Sequence, residues 1–126
     1  MKSETLRILI AEDNPDAAET LRVLLKNMGY EAHVVNDGES AVPAASALKP
    51  HVIIMDIGLP GIDGYDAARR IRERHPGRQV RIVALTGLDQ IIDRQRSAEA
   101  GIDHHLVKPV DPAVLRQILD SNFPLE

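Results

Sequence analysis

Cysteine is absent from this chain of 126 residues, and so is tryptophan. The first absence excludes a disulfide framework and any thiolate metal site, and it fits a reducing compartment. Aromatic residues come down to Tyr30, Tyr65 and Phe123, so a core has to be built from Leu, Ile, Val and Ala. No apolar run approaches the roughly 20 residues that cross a bilayer. The N-terminal MKSETLRILI also lacks the long apolar stretch and cleavage site of a signal peptide. The expectation is a cytoplasmic protein that makes no use of a membrane. A positive surplus is missing too: the net charge is −4, which gives no general attraction to nucleic acid. Arginines gather at Arg69, Arg70, Arg72, Arg74, Arg78 and Arg81, but without interleaved aromatics they read as a solvated helix face and not as a nucleic-acid stripe.

What is present suits one globular domain. The length allows a single core burying about two-thirds of the unfolded surface, and the domain is expected to fill residues 1–126, with its core at about 5–122. Strand-like and helix-like segments alternate. Leu6–Ala11, Glu31–Val35, Val52–Met55, Val80–Leu85 and His104–Val107 read as strands, most of them continuously apolar. Helices are predicted over 15–28, 40–48, 64–75, 89–100 and 111–121. Asn14-Pro15 and Asp111-Pro112 each give a capping side chain followed by a proline suited to the first helical position, and Gly29 suits a helix C-terminus. Asp63 with Asp66 resembles a capping box. Pro43 conflicts with a helix interior at about 3 kcal/mol, so the second helix is expected to start at Ser40. Five strands alternating with five helices predict an α/β domain with a parallel sheet covered on both faces.

In open parallel sheets, ligands bind beyond the carboxyl ends of the strands. Glu12 and Asp13 follow the first strand, Asp56 the third, Thr86 and Gly87 the fourth, and Lys108 and Pro109 the fifth. Asp and Gly at a strand end are ordinary turn residues, yet the set is harder to dismiss. Two like charges 4 Å apart repel by about 4 kcal/mol at an effective dielectric of about 20. One lysine does not balance three acids; a hard dication does, and carboxylate donors point to Mg²⁺ and away from zinc. Such a site is equipped for attack of Asp56 on a phosphoryl group.

IAEDN (10–14), MDIGLPGIDGYD (55–66), ALTG (84–87) and HLVKP (105–109), in this order and spacing, resemble the receiver domain of two-component response regulators over about residues 5–122. The resemblance implies a doubly wound, flavodoxin-like (βα)5 fold of strand order 2-1-3-4-5. It implies that Asp56 accepts a phosphoryl group from the phosphohistidine of a histidine kinase or phosphotransfer protein. Asp13 and Asp56 would bind Mg²⁺ directly, Glu12 mainly through water and Gly58 through its carbonyl, while Thr86 and Lys108 would bind phosphoryl oxygens. Gly58 and Gly61 would let backbone approach closely and Pro60 would stiffen their loop. It further implies a protein that is not a conventional enzyme but catalyses its own phosphorylation and slow dephosphorylation. Output would pass through the face of helix four, strand five and helix five to a downstream protein, with a phosphorylation-dependent homodimer as one form of it. HHLVKPVD is similar to receivers attached to hybrid histidine kinases, and Leu125-Glu126 has the look of a cloning scar.

His105 departs from the pattern, since the family usually carries Tyr or Phe three residues before the lysine. It is expected either to sit at the sheet edge beside His104 or to act with Thr86 as a switch sensitive near neutral pH. Gly58 and Leu88 occupy positions that tune dephosphorylation in the family, and neither activates water, so slow hydrolysis is expected. His33, His51 and His75 lack convergent partners in the sequence. A flavodoxin-like cofactor binder would need a Gly-, Ser- or Thr-rich loop where EDNPD stands. An aspartate-nucleophile phosphatase would place D-x-D after the first strand, and a degenerate receiver would have lost part of the acid, Thr and Lys set.

Overall fold

The computed structural model describes residues 5–75 and 79–120; the readings above for Arg78, Phe123, Leu125 and Glu126 fall outside them. The elements run β1 (Arg7–Ala11), α1 (Pro15–Asn27), β2 (Glu31–Val35), α2 (Gly38–Leu48), β3 (Val52–Asp56), α3 (Gly64–Arg74), β4 (Arg81–Thr86), α4 (Arg94–Ala100), β5 (His104–Val107) and α5 (Pro112–Asp120). The five strands form one sheet of order β2-β1-β3-β4-β5, every neighbouring pair parallel.

Alternation along each strand sends side chains to opposite faces. Ile8, Ile10, Val52, Ile54, Val83 and Leu85 pack with Leu21 and Leu25 of α1 and Leu115 and Leu119 of α5. Leu9, Ile53, Met55, Ile82 and Ala84 pack with Ala41 and Ala45 of α2, Ala67, Ala68 and Ile71 of α3, and Ala100 of α4. Both faces are therefore buried, which is why the strands read as unbroken apolar runs. Each fully buried Ile or Leu contributes about 1.5–3 kcal/mol, and among the described residues the aliphatic core takes in a buried Tyr65, with Tyr30 packed partly buried against it.

Local signals account for most boundaries. Asn14 accepts the Ala17 N–H at 3.0 Å, and Pro15 opens α1. At its far end Gly29, at φ 97°, donates to Lys26 O while Tyr30 donates to Leu25 O, a Schellman closure that the positive φ requires. Two predicted starts are wrong. Helix α2 begins at Gly38, capped by Asp37 through the Ser40 N–H at 2.7 Å, so Pro43 lies inside the helix. The cap and the burial of Ala41, Val42 and Ala45 outweigh the hydrogen bond that Pro43 forgoes. Helix α4 begins at Arg94 and not at 89, because residues 87–90 close a turn through Gln90 N–H to Gly87 O, and Asp93 caps the helix on the Arg96 N–H. Strands β3 and β4 each run one residue further than predicted, so Asp56 and Thr86 are the last residues of their strands.

The arginine cluster is not uniformly solvated either. Arg72 is a clamp, donating to Val80 O, Gly101 O and Asp103. The capping box at α3 is half made in the usual sense: Asp63 accepts the Asp66 N–H, while both carboxylates turn to Arg96. Among the described residues no helix is long and apolar enough to cross a membrane.

Candidate functional site

Parallel pairing brings the C-terminal ends of β1, β3, β4 and β5 to one edge, and with them the predicted residues. Glu12 continues from β1. Its N–H donates to Val35 O, and its carbonyl accepts from Asn36 Nδ2. This backbone grip carries the side chain inward, where only 1% of the residue is exposed. Oε2 accepts the Asn14 N–H at 3.1 Å. Oε1 stands 2.7 Å from Lys108 Nζ but off hydrogen-bond alignment, so a buried oxygen is charge-paired without a hydrogen bond. Asp13 is exposed beside it. One carboxylate oxygen from each of Glu12, Asp13 and Asp56 lies within 4.8 Å of the others.

Asp56 ends a strand of five buried residues. Its Oδ1 accepts the Gly58 N–H at 2.8 Å and its Oδ2 accepts from Lys108 Nζ at 2.6 Å, which fixes the plane of the carboxylate. Lys108 is itself anchored by its N–H to Thr86 O at 2.7 Å. Burial pulls the ammonium's pKa down, but its hydrogen bond to Asp56 and the charges of Asp56 and Glu12 outweigh burial and hold it above the ordinary lysine value. One ammonium thus faces three carboxylates. The donor set is hard oxygen throughout, and one buried oxygen, Glu12 Oε1, has an ion pair but no aligned hydrogen bond. These residues suit a small hard dication such as Mg²⁺.

The remaining predicted residues have other partners. Thr86 is buried, and its hydroxyl donates at 3.4 Å to Leu106 O of β5, away from the acids. His105 is half-buried beneath α4, its Nε2 2.9 Å from Ser97 Oγ. Burial first, then the charges of Arg94 and His104, hold its imidazole below the ordinary histidine value. Leu88 is 82% exposed on the rim. His33 meets Glu31, His51 accepts the Arg7 N–H and His75 meets Ser46. Among the described residues, the acid cluster of Glu12, Asp13 and Asp56 is the one group able to hold a metal.

Gly61, at φ 75°, meets the glycine expectation, and a Cβ there would strike the Glu39 carboxylate. Gly58 is less demanding, since a Cβ would meet the movable amide of Gln90 at 2.9 Å. Sequence reasoning missed the tighter position. A Cβ on Gly64 would stand 2.6 Å from Asp56 O and from Ile57 Cα, both backbone. The start of α3 packs directly on the strand end that presents Asp56, and the GYD that follows Asp63 was the available signal. Ser97 was also missed, because its partner His105 lies on another element, strand β5.

The family model for the response regulator receiver domain matches residues 8–120. Among relatives, the DNA-binding response regulator MtrA of Mycolicibacterium smegmatis is 35% identical over 109 residues, covering 86% of this chain and 46% of that protein. The chain therefore spans about half the length of such relatives. Among solved structures, the receiver domain of sensor histidine kinase PA1611 from Pseudomonas aeruginosa PAO1, with magnesium coordinated in its active site cleft, is 39% identical with TM-score 0.82, covering 92% of this chain and 95% of that one. Chemotaxis protein CheY4 of Vibrio cholerae matches with TM-score 0.84 at 24% identity, over 92% of this chain and 97% of that one, a likeness of fold alone.

Proposed function

The chain belongs to the response regulator receiver domain family, and from that membership we propose that it is a phosphoacceptor whose Asp56 takes a phosphoryl group from the phosphohistidine of a histidine kinase or phosphotransfer protein. The observation that carries this reading is the convergence of Glu12, Asp13 and Asp56 with Lys108 bridging two of them. In the transfer an Asp56 oxygen bonds to phosphorus as the phosphorus–nitrogen bond breaks and its electron pair returns to the imidazole. Gly58 N–H and Lys108 orient the carboxylate, so little reorganisation remains for the step itself. Glu12, Asp13 and Asp56, with the Gly58 carbonyl, would hold Mg²⁺, which when bound offsets charge on the phosphoryl oxygens. Lys108 offsets the rest.

The long Thr86 bond to Leu106 O is weak enough to exchange for a phosphoryl oxygen. That exchange frees a β5 carbonyl next to His105, whose bond to Ser97 ties β5 to α4. Thr86 and His105 thus form the switch, and the surface of α4, β5 and α5 carries the result to a downstream protein, to a second copy of the chain in a phosphorylation-dependent homodimer, or to a parent protein. Hydrolysis of the acyl phosphate is slow, because Gly58 and Leu88 offer no base. The domain acts in the cytoplasm as a signalling module that catalyses its own phosphorylation. Incubation with acetyl phosphate and Mg²⁺, followed by intact mass, tests the reading: the wild type should gain one phosphoryl group and Asp56→Asn none. Equal gain in both, or none in either, overturns it.

A further inference from the structure

Gln90 stands four residues after Thr86, on the loop that carries the exposed Leu88 and Ile91. Its side chain folds back across that loop. Oε1 accepts the Gly87 N–H at 2.6 Å, and the Gln90 N–H donates to Gly87 O at 3.1 Å. The other end of the amide reaches the loop after β3. A Cβ on Gly58 would stand 2.9 Å from Gln90 Nε2 and 3.5 Å from Asp56 Oδ1, so the amide enters the space that the glycine leaves beside the carboxylate. With the carbonyl end held by Gly87, the end turned toward Asp56 is a pure donor.

Such a donor finds its natural partner when Asp56 carries an anion with oxygens of its own. Resting on the reading of Asp56 as phosphoacceptor, we propose that Gln90 binds the phosphoryl group on Asp56 and sets its lifetime. Its amide donates to a phosphoryl oxygen and fills the mouth through which water would align behind phosphorus. In hydrolysis a water oxygen bonds to phosphorus and the bond from phosphorus to the Asp56 oxygen breaks. The electron pair returns to the carboxylate, and inorganic phosphate leaves with the water's proton released to solvent. An amide NH₂ does not accept that proton, so Gln90 retards the reaction.

The test loads wild type, Gln90→Ala and Gln90→Glu with acetyl phosphate and Mg²⁺, removes both, and follows phosphate loss by intact mass. Gln90→Glu keeps an acceptor for Gly87 but replaces the donor with a charged oxygen. Both variants are expected to lose phosphate about three- to ten-fold faster than wild type, as for loss of a hydrogen bond to a charged group at an open site. Failure of Gln90→Glu to load while the other two load has the same meaning. In the unloaded protein the Gly87 amide resonance should move in Gln90→Ala and stay near its place in Gln90→Glu, a readout that does not depend on phosphate. Decay unchanged or slower in both variants, or faster in Gln90→Ala alone, overturns the proposal while leaving Asp56 as phosphoacceptor. A wild type that gains no phosphate overturns both.

Discussion

Arg72 and Lys108 are cations at opposite edges of the same sheet, with similar side-chain exposure, 27% and 32%, and they are served differently. Arg72 lies near the N-terminal ends of β4 and β5. Its guanidinium donates to Val80 O at 2.6 Å, to Gly101 O at 2.7 Å and to Asp103 Oδ2 at 3.0 Å. Asp103 in turn accepts the Ile82 N–H. Gly101, at φ 77°, leaves room for the guanidinium, since a Cβ there would stand 2.8 Å from Arg72 Nε. Charge and hydrogen bonds are matched, and the cluster staples α3 to the loops before β4 and β5. Lys108, at the other edge, faces more carboxylate than one ammonium balances, and one Glu12 oxygen is left without an aligned donor. A matched cluster holds a fold together; a mismatched one stores affinity for something that arrives later.

That contrast breaks if the two edges respond alike. The largest expected difference is in stability. Arg72→Ala strands two backbone carbonyls and Asp103, and should cost about 2–3 kcal/mol in urea unfolding. Asp56→Asn removes one of three repelling charges and should leave stability equal or higher. A comparable loss in both would mean that the acid edge is structural too.

Gly64→Ala comes next. Its new methyl meets the Asp56 and Ile57 backbone, and should cost about 1–3 kcal/mol while reducing phosphate uptake. Gly58→Ala displaces only a flexible amide and should cost less; equal losses would remove the claim that α3 positions Asp56. Magnesium sharpens the comparison further. At about 100 times its dissociation constant it should stabilise the wild type by about 2.7 kcal/mol. At the same concentration a thermal melt of Asp13→Asn should show little gain, and an equal shift would place the ion elsewhere.

The smallest effect is the pH dependence of His105. Its folded pKa lies below the unfolded value near 6.5, so the unfolded chain binds the proton more readily. The associated stability is complete above about pH 6.5 and is lost as pH falls through the folded value. His105→Gln, which keeps a partner for Ser97 without titrating, should flatten that slope. An unchanged slope would clear His105 of any part in it.

The number of strands and helices and the parallel sheet were legible because buried parallel strands must be apolar along their whole length and because cap and proline pairs mark helix starts. The strand order came only from the family resemblance, since apolar runs do not say which strands are neighbours. Asp56, Glu12, Asp13, Thr86 and Lys108 were legible because each stands at a strand end, and a parallel sheet carries all such ends to one edge. The start of α2 was misread because the Asp37 cap outweighed a proline penalty that looked decisive in isolation. The start of α4 was misread because 89–93 is polar enough to suit either a helix or a turn.

By itself the sequence determined which chemistry is available, since residue types and their order along the chain set the donors, the acids and the fold that gathers them. Only the tertiary structure decided who holds whom: Lys108 between Glu12 and Asp56, Thr86 on Leu106, His105 on Ser97, and Gln90 reaching from Gly87 toward Gly58. Those contacts join segments far apart in the chain or fold a loop back on itself. Their geometry depends on the register and packing of the whole sheet, which no local pattern of residues encodes.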